Sequence, residues 1–349
     1  MKRAVGLVSR IDIIGHNGAT GDHYLTQIQT PKKSYTFDYP EALAFSDAQN
    51  SIFWTADEIN VEKDIQDIRV NMSEAEAHGV ITTLRLFTLY ELVAGRDYWL
   101  NRIMKKFPRP DVERMASTFG FFELNVHAPF YNKINEALML NTDEFYMSYV
   151  DDPKLNERME FVEGIVTQDD DLLSLGAFSM IEGAVLYSSF AFLKHFQAKG
   201  KNKLMNVVRG INFSVRDENL HCEGGAWLYG QLKAEKEALG TFTPRDNEIL
   251  SERLTRTARA IAEHEFRIVD MIFEKGDMDG ITPEQMKTFV KHRVNLCLER
   301  LGLEPIFTIY NNIVADWFYE NINAPQFNDF FTGVGSSYNR NWNESGFKW

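Results

Sequence analysis

Four glutamates stand in apolar helical stretches of this 349-residue sequence, and two of them are followed by a histidine about one helical turn later. The six residues are Glu91, Glu123, His127, Glu182, Glu218 and His221. A charge on an apolar helix face is costly unless it is paired or bound to a metal. Four helices that each turn a carboxylate inward, two of them adding a histidine, supply the ligands of a di-iron or di-manganese bundle.

The spacing of each Glu/His pair allows shared ligation. Glu218 and His221 are three residues apart and Glu123 and His127 four, so each pair lies on one helix face. Mixed carboxylate and imidazole ligands suit iron or manganese, whereas structural zinc favours thiolates, and the chain has two cysteines and no C-x-x-C. A single such glutamate could be an ordinary buried ion pair. The complete set predicts a dinuclear metal site.

Tyr131 lies one helical turn after His127, where a high-valent metal pair could oxidise it to a radical. The alternative is a core tyrosine with a satisfied hydroxyl group. Four apolar side chains are expected to surround the ring, although each alone is more often ordinary core. They are Phe122, Phe130, Leu186 and Phe190.

The elements that position these residues are predicted to be helices. Ser73 and Glu76 form a capping box that opens a helix through Phe107, and a second helix runs from Asp111 to about Leu140. Pro129 is expected to distort that second helix. Asp152-Pro153 opens a further helix, and others are expected at about 172–196, 202–236, 246–275, 283–301 and 305–320. With no convincing strand beyond the first fifteen residues, the predicted class is all-α.

Composition excludes several other functions. The net charge is −13 and no run of five basic residues occurs, which disfavours binding to nucleic acid or to an anionic membrane. Two cysteines exclude a disulfide framework and suit a reducing compartment, and Cys222 is expected to be a packed thiol. Residues 172–193 are apolar enough to span a membrane, but Glu182 at their centre favours a buried site. We therefore expect a cytoplasmic protein, in the host cytoplasm if it is viral.

At three motifs the sequence resembles the small (beta, radical-generating) subunit of class I ribonucleotide reductase. They are SIFW at 51–54, E-x-x-x-H-x-x-x-Y at 123–131 and VRDENLH at 215–221. The resemblance runs from about Phe37 to the C-terminal tail. It implies a ferritin-like helical bundle over 37–320, preceded by an arm at 1–36 and followed by a flexible tail at 321–349 that docks on the large subunit.

The resemblance also implies roles for individual residues. The metal ligands would be the six residues given above, and the radical would reside on Tyr131. A proton-coupled electron path would pass through His127, Asp217 and Trp54, and Tyr338 of the tail would relay the radical to the large subunit. A homodimer that reacts with O₂ is expected. Dinuclear iron is the expected cofactor, with two manganese ions or a mixed Mn/Fe pair as alternatives.

Two departures from the family pattern affect the site. The family spaces its first Glu/His pair three residues apart, but Glu123 and His127 are four apart. A one-residue π-type bulge would restore the ligand geometry. Glu91 stands where many members carry aspartate, which can alter the geometry but not the preference for hard metals.

Two other functions remain open at this point. One is a different di-metal oxidase on the same scaffold, which would not need Trp54, Asp217 or a tyrosine in the tail. The other is a metal-storage or scaffold bundle, for which Tyr131→Phe would have no consequence beyond a small change in stability.

Overall fold

The computed structural model describes residues 25–319, and the structural statements below concern that part of the chain. It contains thirteen α-helices. They are α1 Pro40–Ser51, α2 Glu74–Leu92, α3 Met104–Lys106, α4 Pro110–Phe122, α5 Ala128–Ala137, α6 Asp143–Asp151, α7 Pro153–Thr167, α8 Asp171–Ala184, α9 Tyr187–Lys194, α10 Met205–Ala238, α11 Pro244–Ile272, α12 Pro283–Arg300 and α13 Ile313–Phe318.

The all-α prediction is confirmed. Between residues 25 and 319 the one β-type pairing is an isolated bridge between Met278 and Ile281. Short 3-10 turns occur at Ala56–Glu58, Val61–Asp64 and Ala198–Gly200. The most extensive contact between two helices is that of α8 with α10.

Local sequence signals define where several helices begin. The amide of Glu76 donates to Ser73 Oγ at 3.2 Å, and the Ser73 amide donates to Glu76 Oε2 at 2.9 Å, which completes the predicted capping box. Such a cap stabilises a helix by about 1 kcal/mol. Equivalent boxes open α11 at Thr243 and α12 at Thr282, each followed by a proline in the first turn.

Two helices that carry metal-ligand candidates contain π-helical segments. Glu123–His127 form a π-helix between α4 and α5, which is the kind of bulge that the four-residue spacing of this pair would require. A second π segment, Val93–Ile103, directly follows α2 and was not predicted. The two segments approach closely at Gly95, where a Cβ atom would lie 2.8 Å from Cβ of Glu123. Glycine is needed there because no side chain fits between the widened helices.

The helix expected at 172–196 is interrupted, and this part of the prediction was wrong. Val185 is extended and Leu186 adopts a left-handed φ of 73°, which separates α8 from α9. The carbonyl of Gly183 at the end of α8 instead accepts a hydrogen bond from Arg293 Nε at 2.9 Å. The buried Arg293 side chain thus replaces the backbone amide that would donate to this carbonyl if the helix continued.

The last predicted helix is much shorter than expected. A helix over 305–320 was predicted, but α13 covers Ile313–Phe318. Asn295 Oδ1 accepts from the amides of Ile306 and Phe307 at 3.0 and 3.1 Å, so a side chain satisfies backbone groups that a helix would otherwise pair. The helices α1 and α6 were not predicted.

Part of the predicted N-terminal arm lies against the bundle. The amide of Ile28 donates to Glu235 Oε2 at 2.9 Å, and Gln29 Nε2 donates to Asp171 Oδ2 at 2.9 Å. The boundaries of the arm, the bundle and the tail stay predictions.

The stretch Asp171–Lys194 is long and apolar enough to cross a membrane, but its most apolar window is wholly buried inside the bundle. This burial agrees with the interpretation of the stretch as core sequence around Glu182. Cys222 is also buried, as predicted.

Candidate metal centre

The six predicted ligands come together at the centre of the bundle from four helices. Glu91 lies near the end of α2, and Glu123 with His127 lies on the π-helix between α4 and α5. Glu182 comes from α8, and Glu218 with His221 from α10. All six side chains are buried.

Their ligand atoms form two overlapping groups, in each of which all atoms lie within 4.8 Å of one another. The first group consists of Glu91, Glu123, His127 and Glu218, and the second of Glu123, Glu182, Glu218 and His221. Because Glu123 and Glu218 belong to both groups, they can bridge two cations. We call Glu91 and His127 the first half of the centre, and Glu182 and His221 the second half.

The residues fit a pair of cations. Both oxygens of Glu91, both of Glu218 and Oε2 of Glu182 are buried without a hydrogen bond of normal geometry in the described structure. Buried oxygens of this kind are costly unless a cation or a proton satisfies them. Oxygen and imidazole ligands suit iron and manganese alike.

In the metal-free centre protons take the place of cations. Burial, and then the negative charge of Glu123, raises the pKa of Glu91 well above its ordinary value. Burial, and then the charge of Glu218, does the same to the pKa of Glu182. Burial opposes protonation of His127, but the charge of Glu123 and a hydrogen bond to Asp217 raise its pKa well above the ordinary value. Metal binding must therefore displace protons.

The histidine of the first half is oriented by a polar chain. His127 Nδ1 faces the carboxylates, 3.1 Å from Glu123 Oε2 and 3.3 Å from Glu218 Oε1. Its Nε2 lies 3.1 Å from Asp217 Oδ2, which also accepts from Trp54 Nε1 at 2.7 Å. Asp217 thus joins a candidate ligand to a buried indole, and all three side chains are inaccessible to solvent or nearly so.

The histidine of the second half has aromatic neighbours instead. His221 Nδ1 lies 2.6 Å from Glu123 Oε1, whereas its Nε2 has no hydrogen-bond partner among the described residues. The imidazole packs against Phe119, with ring centroids 4.4 Å apart, and against Trp99 at 6.2 Å. Trp99 Nε1 donates to Glu182 Oε1 at 2.8 Å.

Tyr131 is fully buried in an aromatic environment beside the first half. Its ring stacks on Phe87, which was not predicted, with centroids 4.4 Å apart. The predicted neighbour Phe130 lies with its ring centroid 5.2 Å from that of Tyr131. Of the other predicted neighbours, Phe190 stacks on Phe87 at 5.5 Å and Phe122 packs against Phe53 at 5.6 Å, so a contact of Phe122, Phe190 or Leu186 with the Tyr131 ring stays a prediction. Burial, and then the negative charge of Glu91, holds the pKa of Tyr131 well above its ordinary value. The side chain is therefore a neutral phenol.

Comparison with known families agrees with this geometry. The sequence profile described as ribonucleotide reductase, small chain, matches residues 32–312. That match covers most of the 349-residue chain. The chain belongs to the ribonucleotide reductase small-chain family.

Curated relatives of this family are distant but extensive in coverage. The chain is 26% identical over 325 residues to the probable ribonucleoside-diphosphate reductase small subunit of invertebrate iridescent virus 3, covering 86% of this chain and 82% of the relative. It is 26% identical over 297 residues to the ribonucleoside-diphosphate reductase 2 subunit beta of Escherichia coli, covering 82% of this chain and 87% of the relative. The prediction of a ribonucleotide reductase small subunit is confirmed.

Solved structures share the fold. The R2 subunit from Clostridium botulinum aligns with a TM-score of 0.72 at 22% identity, over 88% of this chain and 96% of the other. The dimanganese(II) NrdF protein of Streptococcus sanguinis aligns with a TM-score of 0.69 at 22% identity, over 82% of this chain and 98% of the other. These alignments confirm the small-subunit type of helical bundle.

Two side chains beside the small-chain centre were missed from the sequence. Trp99 contacts Glu182 directly, and Tyr90 is buried with no hydrogen bond of normal geometry to its hydroxyl group in the described structure. Burial, and then the charge of Glu182, raises the pKa of Tyr90 well above its ordinary value. The signal available in the sequence was an aromatic run around Glu91 and Trp99, which is equally typical of ordinary core. Tyr338 lies outside the described residues.

Proposed function

We propose that this chain is the radical-generating small subunit of an aerobic class I ribonucleotide reductase. The observation that carries the proposal is the buried chain from His127 through Asp217 to Trp54, which begins at the metal centre one helical turn from Tyr131. A storage protein or a simple oxidase has no need of such a connection.

Six side chains of this subunit would hold two metal ions, namely Glu91, Glu123, His127, Glu182, Glu218 and His221. When bound, the metal pair would react with O₂ and supply the oxidising equivalent for Tyr131. Iron is the proposed metal, and two manganese ions or a Mn/Fe pair would accept the same ligands. One structural neighbour is described as a dimanganese(II) protein.

The proposed role of Tyr131 is to lose its phenolic hydrogen and store the radical. The stacked ring of Phe87 and the neighbouring ring of Phe130 exclude water from the phenol. Because the high pKa of Tyr131 keeps the hydroxyl protonated, proton and electron must leave together. A dry aromatic environment also lacks reductants that would quench a radical.

The chain from His127 to Trp54 is proposed to be the exit for the radical. Asp217 Oδ2 accepts hydrogen bonds from both the indole and the imidazole, so it can take the indole proton as the electron moves. Trp54 would pass the radical to Tyr338 in the tail at 321–349. The tail would deliver it to a separate large subunit, which would bind and reduce the ribonucleotide.

The remaining assignments follow from the family. The chain would act as a homodimer in the cytoplasm, bound to its large subunit through the tail. Relatives named ribonucleoside-diphosphate reductase indicate diphosphate substrates. No feature of the described residues argues for a nucleotide site on this subunit.

The experiment that tests this function is reconstitution with the large subunit from the same source. Trp54→Phe is expected to abolish ribonucleotide reduction while the tyrosyl radical still forms. Tyr338→Phe should have the same effect, and Tyr310→Phe, at a side chain that is 96% exposed, is the matched control with full activity. Full activity of Trp54→Phe or Tyr338→Phe would contradict the proposed relay.

A further inference from the structure

Trp99 makes a direct hydrogen bond to a candidate metal ligand from the second π segment. The indole is fully buried, and its Nε1 donates to Glu182 Oε1 at 2.8 Å. The bond joins Val93–Ile103 to α8, two elements far apart in sequence. It is the second indole–carboxylate bond beside this centre, after the one between Trp54 and Asp217.

The orientation of the indole is fixed by edge-to-face packing. Its plane is nearly perpendicular to Phe119, with centroids 5.0 Å apart, and to Phe178, with centroids 6.4 Å apart. Tyr98 adds a third edge contact at 5.0 Å. Close-packed aromatic rings hold one rotamer, so the N–H group points to a defined place.

This defined direction distinguishes the two oxygens of Glu182. Oε1 is used by the indole, whereas Oε2 has no hydrogen bond of normal geometry among the described side chains. Glu182 supplies one oxygen to the second ligand group, which also contains Glu123, Glu218 and His221. A carboxylate without the indole could rotate and offer either oxygen, or both.

We propose that Trp99 is the positioning residue of the second metal site. Its indole N–H donates a hydrogen bond to Oε1 of Glu182, so that Oε2 is the oxygen that would bind the metal. The second site therefore depends on Trp99, and the first site does not. The inference rests on the proposed dinuclear centre, and it adds a residue that has no hydrogen bond to His127, Asp217 or Trp54 in the described structure.

Side chains that orient a ligand typically change metal affinity by about 10- to 100-fold when they are removed. The effect of losing the indole N–H should therefore be of that size, and it should be confined to one site. A residue that merely fills space would instead alter both sites together, because they share Glu123 and Glu218.

The test is an anaerobic titration of metal-free protein with Mn(II), with free Mn(II) followed by electron paramagnetic resonance. Glu91→Ala isolates the second site, and Glu182→Ala isolates the first. In the Glu91→Ala background, Trp99→Phe should raise the Kd for Mn(II) by about 10- to 100-fold. In the Glu182→Ala background the same substitution should leave the Kd unchanged.

A second replacement separates the lost hydrogen bond from lost volume. Incorporation of 3-benzothienylalanine at position 99 keeps the size of the indole and replaces its N–H by sulfur. It should reproduce the loss of affinity seen with Trp99→Phe, while the unfolding temperature of the metal-free protein stays close to that of the wild type.

Two results would overturn the inference. Equal weakening in the two backgrounds would mean that Trp99 acts through general packing, and unchanged affinity in the Glu91→Ala background would mean that Glu182 needs no positioning. Failure of the dinuclear site gives a different result, since the wild-type protein itself would then bind fewer than two Mn(II) ions.

Discussion

The two halves of the metal centre share Glu123 and Glu218 but have opposite surroundings. In the first half, His127 is joined through Asp217 to Trp54, and Tyr131 lies nearby. In the second half, His221 packs on Phe119 and its Nε2 has no partner in the described structure. The first half is thus hydrogen-bonded to side chains outside the ligand set, whereas the histidine of the second half is packed against an aromatic ring.

In the proposed function, this difference in surroundings gives the two similar halves of the ligand set different roles. Carboxylate and imidazole ligands are nearly equivalent in the two halves, so direction must come from the groups behind them. Hydrogen-bonded side chains can carry protons and electrons, whereas packed aromatic rings without acceptors hold geometry and exclude water. We therefore propose radical transfer as the role of the first half and ligand positioning as the role of the second.

The largest expected effect comes from removing a ligand that both halves share. Glu123→Ala should abolish the binding of both ions, whereas Glu91→Ala and Glu182→Ala should each abolish one, because Glu123 belongs to both groups. Metal content after anaerobic loading and desalting measures this directly. Loss of both ions in Glu182→Ala would show that the halves are not separate sites.

A smaller effect is expected from changing the groups behind the two histidines. Asp217→Asn should weaken metal binding by about 10- to 100-fold, because a neutral amide oxygen is a weaker acceptor than the carboxylate Oδ2, which accepts from both Trp54 and His127. Phe119→Leu, the matched change behind His221, removes no hydrogen bond and should alter affinity far less. Comparable losses in the two variants would contradict the contrast between a polar and an aromatic half.

The pH dependence of the metal-free protein should follow the protons held in the centre. The pKa values of Glu91 and Glu182 are raised above the ordinary 4.5, and that of His127 above the ordinary 6.5. The folded state thus binds protons that the unfolded chain has released. This stabilisation is complete below the ordinary pKa values and is lost as the pH rises through the raised ones.

The metal-free protein should therefore be more stable near pH 6 than near pH 8, by about 1.4 kcal/mol per pH unit for each extra proton. Urea unfolding at several pH values measures this slope. Glu91→Gln and Glu182→Gln, which imitate the protonated form in each half, should flatten it. A slope that is unchanged in both variants would assign the pH dependence to other groups.

The smallest effects concern the stability of two buried tyrosines. The hydroxyl groups of Tyr131 and Tyr90 have no hydrogen bond of normal geometry in residues 25–319. Tyr131→Phe and Tyr90→Phe should therefore each change the free energy of unfolding by less than about 1 kcal/mol. Denaturant unfolding of the two variants checks this, and a loss of several kcal/mol would reveal a hidden partner.

Much of the fold was predictable because long amphipathic helices and their caps are local signals. The Ser73/Glu76 box and the prolines of the first helical turns placed several helix starts correctly. The break at Leu186 was not predictable, since it depends on Arg293, a residue more than one hundred positions away, binding the carbonyl of Gly183. Asn295 shortens the last helix through a nearer contact, since its side chain accepts from the amide of Ile306 eleven residues along the chain, a pairing that helical periodicity does not reveal.

The six ligand candidates of the centre were predictable, whereas two aromatic side chains beside them were not. Charged residues in apolar sequence are conspicuous, so the six ligand candidates could be found from residue type and spacing. The extra residue between Glu123 and His127 even indicated the π-helix that the structure contains. Trp99 and Tyr90 are aromatic residues in a core rich in aromatics, and their proximity to the carboxylates arises only from the packing of distant helices.

The site of the proposed radical can be determined by electron paramagnetic resonance on metal-free protein loaded anaerobically with Fe(II) and then exposed to O₂. Wild type, Tyr131→Phe and Tyr90→Phe are compared, since each variant removes one buried phenol from one half of the centre. We expect a tyrosyl signal in the wild type and in Tyr90→Phe and none in Tyr131→Phe. A signal that survives in Tyr131→Phe, or that disappears in Tyr90→Phe, would contradict the assignment of the radical to the first half.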